Sequence, residues 1–103
     1  MIARVWKGWT LTENADAYER LLRVKVIPGL KSIKGYCGGY VLRDDHQGET
    51  EFVVMNLFDS LEAVKAFAGP DHATPVFEPE ARNLLSRIER VANHYDVRAT
   101  PDD

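Results

Sequence analysis

Residues 51–58 have the sequence EFVVMNLF and form the most apolar strand-like stretch of the chain. Successive side chains of a β-strand point to opposite sides of a sheet, so this stretch predicts a strand that is apolar on both faces. One face is expected to carry Phe52, Val54 and Phe58, and the other Val53, Met55 and Leu57. A sheet that contains this strand needs cover on both faces.

Hydrophobic periodicity on either side of this stretch predicts further strands and helices. In chain order the expected elements are strand 2–9, helix 13–27, strand 34–43, strand 51–58, a short helix from Asp59, a helical piece from Pro79 and strand 90–98. This order is the split βαβ pattern, which predicts an α+β domain of ferredoxin-like topology, βαββαβ, with a four-stranded antiparallel sheet. The domain is expected to span 1–98 and to be followed by a flexible tail at 99–103.

Glycine and proline refine these bounds. Pro28-Gly29 is expected to end the first helix. Gly38-Gly39 interrupts the second strand, where we expect a bulge or a close backbone approach. After Pro79, apolar residues recur at helical spacing, at Ala81, Leu84, Leu85 and Ile88.

Composition and charge exclude several classes of function. The chain has 103 residues, enough for one domain, and a formal net charge of −3, which argues against nucleic acid or an anionic membrane surface as a partner. No stretch has the length and apolarity of a membrane span or a signal peptide. The single cysteine, Cys37, permits no intrachain disulfide and fits a reducing compartment, so we expect a cytoplasmic protein.

The apolar second face of the sheet favours self-association. Helices of a βαββαβ domain cover one face only, which would leave Met55 and Leu57 in an apolar patch that faces water. The alternative is that the tail or a long loop folds over the sheet, but no such segment is apolar enough. We therefore expect a homodimer in which two sheets pack together and enclose an α+β barrel.

Three histidines are the candidate acid–base groups. None lies at metal-ligand spacing from another histidine or from the cysteine, so no metal site is expected. His72, beside Asp71 in a loop, is either a general base at the mouth of a pocket or a surface histidine. His94, in the last strand, either points into a pocket or is a hydrogen-bonded core histidine. His46 is expected in a solvated loop.

Aromatic side chains are numerous, and most are expected in the core. A subset between the sheet and the helices would form an apolar cleft that could hold a flat aromatic ligand. The candidates for this cleft are Trp6, Tyr18, Phe52, Phe67 and Phe77. Asn56 is a polar residue within the most apolar strand, where it either is satisfied by a neighbouring backbone group or donates a hydrogen bond to a ligand.

Three stretches resemble the antibiotic biosynthesis monooxygenase family. MIARVWKG at 1–8 is similar to the opening of many such sequences. FDSLEAVKAFAGPD at 58–71 resembles their strand-to-helix stretch, which begins aromatic-Asp-Ser and ends Phe-Ala-Gly-x-Asp. VANHYDV at 91–97 is similar to their closing strand. Together the stretches extend the resemblance over nearly the whole chain.

The resemblance implies a homodimeric α+β barrel with a small pocket in each subunit. It also implies oxidation of a small electron-rich aromatic molecule, such as a quinol, a phenol or an anthrone, by molecular oxygen without metal or flavin. The substrate would supply the electrons, while the protein removes a proton and favours the reactive anion. His94 or His72 would be the base, Asn56 would orient the substrate, and the aromatic candidates would shape the pocket.

Two other functions remain open. A non-catalytic barrel that binds a small ligand, or that has a stress or regulatory role, is the main alternative. Haem degradation is the third, but the haem-degrading branch of the family uses an Asn, Trp and His set. Lys7, Phe67 and Val76 lie near those positions in this sequence, so the resemblance does not extend to that activity.

Overall fold

The computed structural model describes residues 1–102, so residue 103, the last of the predicted tail, lies outside the described residues. Residues 1–102 form the strands β1 Ile2–Leu11, β2 Tyr36–His46, β3 Glu49–Phe58, β4 Leu85–Ile88 and β5 Asn93–Asp96. The helical segments are α1 Ala15–Leu21, a π-helical segment Leu22–Val26, α2 Ile27–Leu30 and α3 Leu61–Ala68, with 3₁₀ turns at Thr12–Asn14 and Pro79–Asn83. Within residues 1–102, every helix falls short of the length and apolarity that spanning a lipid bilayer requires.

The strands form one antiparallel sheet in the order β2-β3-β1-β4. β4 pairs with residues 8–10 of β1, and β5 pairs with residues 2–5 of β1. The sequence predicts a single fourth strand, and the structure instead has two short strands, β4 and β5, that pair with different parts of the same edge of β1. The α+β class and the ferredoxin-like architecture are confirmed.

Strand β4 corrects the prediction of a helical piece after Pro79. The helical part is one short 3₁₀ turn, and Leu85–Ile88 is extended. The edge of β1 offers backbone N–H and C=O groups at residues 8–10, and a strand that pairs with them satisfies those groups. This long-range pairing outweighs the local helical spacing of Leu84, Leu85 and Ile88.

The helical region between β1 and β2 is longer and less regular than predicted. It continues to Leu30 and includes Pro28-Gly29, which the sequence predicts as its end. Pro28 lies in the first turn of α2, where a missing N–H and a fixed φ are tolerated. The π-helical segment that precedes α2 directs Leu22 and Val26 at the core.

A bulge in β2 confirms the expectation for Gly38-Gly39. The register between β2 and β3 shifts between Tyr36 and Gly38, and Gly38 has a φ of 119°, which favours glycine. The bulge turns Tyr36 toward the helices, where its ring packs on Phe58. Tyr40 lies on the opposite face and is 61% exposed, although simple alternation predicts one face for both tyrosines.

The helices cover one face of the sheet. The predicted faces of β3 are confirmed, because Phe52, Val54 and Phe58 are buried while the alternate residues are partly exposed. The uncovered side, called here the open sheet face, carries exposed and half-buried apolar side chains. They include Val5, Trp9, Tyr40, Leu42, Val53, Met55, Leu57 and Tyr95.

Candidate functional site

An apolar cleft lies between the covered face of the sheet and the helical segments. The space between its walls, counted together with the solvent at its mouth, is about 520 Å³. Its floor is formed by Arg4, Trp6, Val54 and Asn56 of β1 and β3. Its walls include Tyr18, Phe67 and Phe77. The space therefore has an apolar lining with a few polar groups on the floor, as is common for small-molecule sites.

One transverse row of the sheet places polar side chains at this floor. Asn56 in β3 is the direct partner of Arg4 in β1, and Arg4 is the direct partner of His94 in β5. The neighbouring row pairs Val54 with Trp6 and is apolar. Because opposed residues of antiparallel strands lie side by side on one face, an amide, a guanidinium and an imidazole come together here.

The guanidinium of Arg4 is the central group of this row. The residue is 4% exposed, and burial lowers the pKa of its guanidinium from the usual value. Nη1 donates to the carbonyl of His72 and Nη2 donates to the carbonyl of Thr74 at 2.9 Å. The guanidinium also lies over the ring of Phe67, 5.4 Å from its centroid. Arg4 thus fastens the loop after α3 to the sheet.

His94 is held between Arg4 and His72. Its Nε2 is 3.0 Å from Arg4 Nη1. Because a guanidinium only donates, Nε2 is the acceptor and the ring proton lies on Nδ1. The pKa of His94 is lowered chiefly by burial and further by the charge of Arg4 and by His72, against a hydrogen bond to the backbone of Ala92. His94 is therefore neutral at physiological pH.

The ring of His72 meets the ring of His94 edge to face, with centroids 4.8 Å apart. His72 Nδ1 is buried and makes no hydrogen bond within residues 1–102. The pair lies beside Arg4 but outside the residues that line the cleft. Within residues 1–102, no three histidine, cysteine or carboxylate side chains come together in a metal-binding group.

Asn56 is oriented from the side opposite Arg4. It is 5% exposed, and its Oδ1 accepts a hydrogen bond of 3.0 Å from the hydroxyl of Tyr36. Gly39 makes room for this contact, because a methyl group at that position would lie 2.5 Å from Asn56 Oδ1. With Oδ1 occupied by Tyr36, the amide nitrogen of Asn56 is left to donate toward the cleft.

Tyr18 adds a hydroxyl to the wall of the cleft. Burial raises the pKa of this phenol well above its usual range, so it stays protonated and can donate to a ligand. Phe52 lies beneath it, fully buried, with ring centroids 4.9 Å apart. Phe52 thus supports the wall, whereas the other four aromatic candidates line the cleft themselves.

Sequence reasoning did not single out Arg4. The sequence does point to a special role for Arg4, because this residue lies on the same face of β1 as Ile2 and Trp6. A charged residue on the face that helices cover must find partners there. The partners, in the loop at 72–74 and in β5, are far away in sequence.

No protein-family model and no curated protein matches the chain. Solved structures do match. A putative antibiotic biosynthesis monooxygenase from Deinococcus radiodurans has a TM-score of 0.70 at 14% identity, over 97% of this chain and 95% of that one. A second such protein, from Bacillus cereus, has a TM-score of 0.65 at 16% identity, over 96% and 94% of the two chains. This chain has the antibiotic biosynthesis monooxygenase fold. The resemblance found in the sequence is thus confirmed at the level of the fold.

A third solved structure with this fold has a different activity. The haem-degrader MhuD from Mycobacterium tuberculosis, with two haems bound in its active site, has a TM-score of 0.61 at 16% identity. The match covers 97% of this chain and 98% of that one. Here Phe67 and Val76 line the cleft, and no histidine of residues 1–102 does. The lining therefore lacks the imidazole that most often ligates haem iron.

Proposed function

We propose that this chain is a cofactor-independent monooxygenase that oxidises a small electron-rich aromatic molecule with molecular oxygen. The observation that carries the proposal is an apolar cleft whose floor holds Asn56 and Arg4, with His94 next to Arg4 in the same row of the sheet. A flat ring can pack against the aromatic walls, of which Trp6 and Phe77 stack on each other with centroids 6.0 Å apart. The substrate class is a quinol, a phenol or an anthrone-like compound.

The chemistry balances without a cofactor. For a methylene group flanked by aromatic rings, R₂CH₂ and O₂ give R₂C=O and H₂O, so one oxygen atom enters the substrate and the other leaves as water. The substrate supplies all the electrons. The tasks of the protein are to remove the first proton, to stabilise the anion that forms and to keep water away from the reacting carbon.

His94 is the proposed base because it is neutral at physiological pH and adjoins the polar floor. Its Nε2 accepts from Arg4 in this conformation, so base action requires the Arg4 side chain to shift toward the cleft. His72 is the second candidate, because its buried Nδ1 has no hydrogen-bond partner within residues 1–102. Asn56 orients the substrate through its amide nitrogen.

A non-catalytic ligand-binding barrel, with a stress or regulatory role, is the second candidate function. It is favoured by one specific feature, the position of both histidines behind Arg4 and outside the lining of the cleft. In that case the same walls and floor bind an aromatic molecule, and no proton is removed.

The proposal includes a homodimer. On the open sheet face, Tyr40, Leu42 and Tyr95 are 61%, 48% and 58% exposed, and they adjoin a larger half-buried apolar surface. Soluble monomers rarely expose such contiguous patches, and a second copy of the chain would cover this one by packing sheet on sheet. The one cysteine, Cys37, is free and exposed, which is compatible with the cytoplasm as the proposed location.

Oxygen consumption tests the proposed activity. Metal-free protein is mixed with a panel of anthrones, hydroquinones and polyphenols, and His94→Ala and His72→Ala are compared with His46→Ala as a control in the exposed hairpin. If the protein consumes oxygen and His94→Ala abolishes this consumption, the result supports a monooxygenase with His94 as the base. If only His72→Ala abolishes it, His72 is the base. Tight binding of panel members without oxygen uptake would instead favour the ligand-binding barrel.

A further inference from the structure

Within the described part of the chain, the buried charge of Arg4 has no counter-charge. Within residues 1–102, its hydrogen-bond partners are two backbone carbonyls and a neutral imidazole, and no carboxylate pairs with it. Glu78 also lines the cleft, but its carboxylate lies 3.8 Å from the ammonium group of Lys25. Buried charges are usually paired, because an unpaired charge loses its hydration without compensation.

Within residues 1–102, two donors of this row, one on Arg4 and one on Asn56, make no hydrogen bond. Arg4 has five N–H groups, and its Nε makes no hydrogen bond within residues 1–102, whereas Nη1 and Nη2 bond the loop and His94. The amide nitrogen of Asn56, directly across the β1–β3 ladder, also has no acceptor there. The floor therefore presents a cation and an amide donor side by side, and both residues line the same cleft.

From this arrangement we infer that Arg4 and Asn56 form a receptor for an oxyanion carried on an aromatic ring. The ligand has a flat apolar body, which packs against the aromatic walls, and one negatively charged oxygen group, a phenolate or a carboxylate, which accepts from Arg4 Nε and Asn56 Nδ2. This inference rests on the cleft of the proposed function and narrows its substrate class to anions. Charge-assisted hydrogen bonds of this kind are stronger than neutral ones.

A bound oxyanion also changes the environment of His94. It draws the guanidinium toward the cleft, which weakens the contact of Arg4 Nη1 with His94 Nε2. It further offsets the positive charge that helps to lower the pKa of His94. For a phenol, the proton that leaves the hydroxyl can then move to His94 Nε2, which no longer accepts from Arg4. Binding of the anion therefore frees the base that accepts its proton.

Ligands of matched shape test the inference without turnover. The probes are 4-nitrophenol, 4-nitrobenzoate and the neutral isostere 4-nitroanisole, with affinities measured by calorimetry at a pH where the phenol is ionised. We expect both anions to bind the unaltered protein roughly 10- to 150-fold more tightly than 4-nitroanisole, as one charge-assisted hydrogen-bond site provides. Equal affinity for the anions and the neutral isostere would overturn the inference.

Two variants separate the receptor from a structural role. Arg4→Gln removes the charge, while Asn56→Asp keeps the shape of the side chain and places a carboxylate opposite Arg4, where it pairs with the guanidinium. In both variants we expect the anions and 4-nitroanisole to bind with nearly equal affinity, while the affinity for 4-nitroanisole itself is retained. Arg23→Gln, on the helix surface, is the control and should behave as the unaltered protein. Equal weakening of all three ligands in both variants would assign Arg4 and Asn56 to fold maintenance alone.

The two sources of the oxyanion give different readouts. If bound 4-nitrophenol develops its yellow phenolate colour below the pH at which the free compound ionises, the site accepts phenolates. If only 4-nitrobenzoate binds more tightly than 4-nitroanisole, and Arg4→Gln removes that difference, the site accepts carboxylates. These probes do not consume oxygen. A negative oxygen-consumption assay would therefore not contradict the oxyanion site. Equal affinity for anions and the neutral probe would likewise not contradict the oxidation of a neutral substrate.

Discussion

Arg4 and Asn56 lie directly opposite each other in the β1–β3 ladder, and both line the cleft. Each is fixed from its outer side, Arg4 by the loop carbonyls and His94, and Asn56 by the hydroxyl of Tyr36. The inner side of each, facing the other and the cleft, has no protein acceptor within residues 1–102. The polar floor is thus supported from its outer side and free to bind a ligand.

The contacts of Arg4 with the loop predict a stability effect that is separate from binding. Arg4→Gln should lower the free energy of unfolding by about 1–3 kcal/mol, because the part-buried carbonyls of His72 and Thr74 lose their donors. Urea unfolding followed by circular dichroism measures the change. Arg23→Gln, which removes an exposed i,i+4 ion pair with Glu19, should have a much smaller effect. Equal effects of the two changes would contradict the anchoring role of Arg4.

The lowered pKa of His94 predicts how stability depends on pH. The native state binds this proton less readily than the unfolded chain, where the pKa is near the ordinary 6.5. The free energy of unfolding should therefore fall as the pH drops through 6.5, and recover as it rises. Between about pH 7.5 and about pH 5.5, before carboxylates titrate, His94→Gln should show a smaller fall than the unaltered protein and than His46→Gln. Parallel curves of unfolding free energy against pH for the unaltered protein and both variants would show that His94 does not contribute to the pH dependence.

Gly39 is predicted to be required for the orientation of Asn56. A methyl group there would lie 2.5 Å from Asn56 Oδ1 and 2.6 Å from the carbonyl oxygen of Met55. Gly39→Ala should therefore destabilise the fold by about 1–3 kcal/mol and weaken ligand binding. Gly29→Ala is the matched control, since nothing lies within 4 Å of its added methyl, and it should be neutral or stabilising. A fully stable Gly39→Ala variant with normal ligand affinity would show that Asn56 needs no such support.

The two tryptophans give a built-in test of where ligands bind. Trp6 lines the cleft and stacks on Phe77, whereas Trp9 lies on the opposite face beneath the guanidinium of Arg87, 4.0 Å from its ring centroid. In Trp9→Phe, the remaining fluorophore is Trp6, and aromatic ligands should quench it in a saturable manner. In Trp6→Phe, the same ligands should leave the emission of Trp9 nearly unchanged. Quenching of Trp9 alone would place the ligand on the open sheet face.

The open sheet face predicts dimerisation. Sedimentation equilibrium should give about twice the chain mass of 11.7 kDa. Leu42→Glu should shift the protein to monomer, because an unpaired carboxylate would be buried between two sheets. Val24→Glu is the control, since Val24 is 61% exposed on the helical side. A monomer at high micromolar concentration in the unaltered protein would show that the open face is not covered by a second copy.

Much of the fold could be predicted from local pattern. The alternation in β3 gave its two faces correctly, and Gly38-Gly39 marked the bulge. The strand–helix–strand–strand order was sufficient for the ferredoxin-like topology. The helical spacing after Pro79 misled, because the same short apolar run fits a strand once the edge of β1 is available to pair with it.

The candidate site was predictable only in part. An apolar cleft with aromatic walls follows from composition and alternation, and these residues do line it, with Phe52 one layer behind. The orientation of Asn56 was not predictable, because it depends on the bulge that turns Tyr36 toward it. The proximity of His72 to His94 also requires contacts between a loop and a strand that are far apart in sequence.

The sequence by itself determined the α+β class, the faces of the central strand and the apolar character of the cleft, since these depend on periodicity within a few residues. Only the tertiary structure decided that Arg4 is the centre of the polar floor. Its partners come from β3, β5 and the loop after α3, and the register that opposes them is set by strand pairing over the whole chain. A buried charge acquires its role from the groups brought around it, and local pattern does not contain those groups.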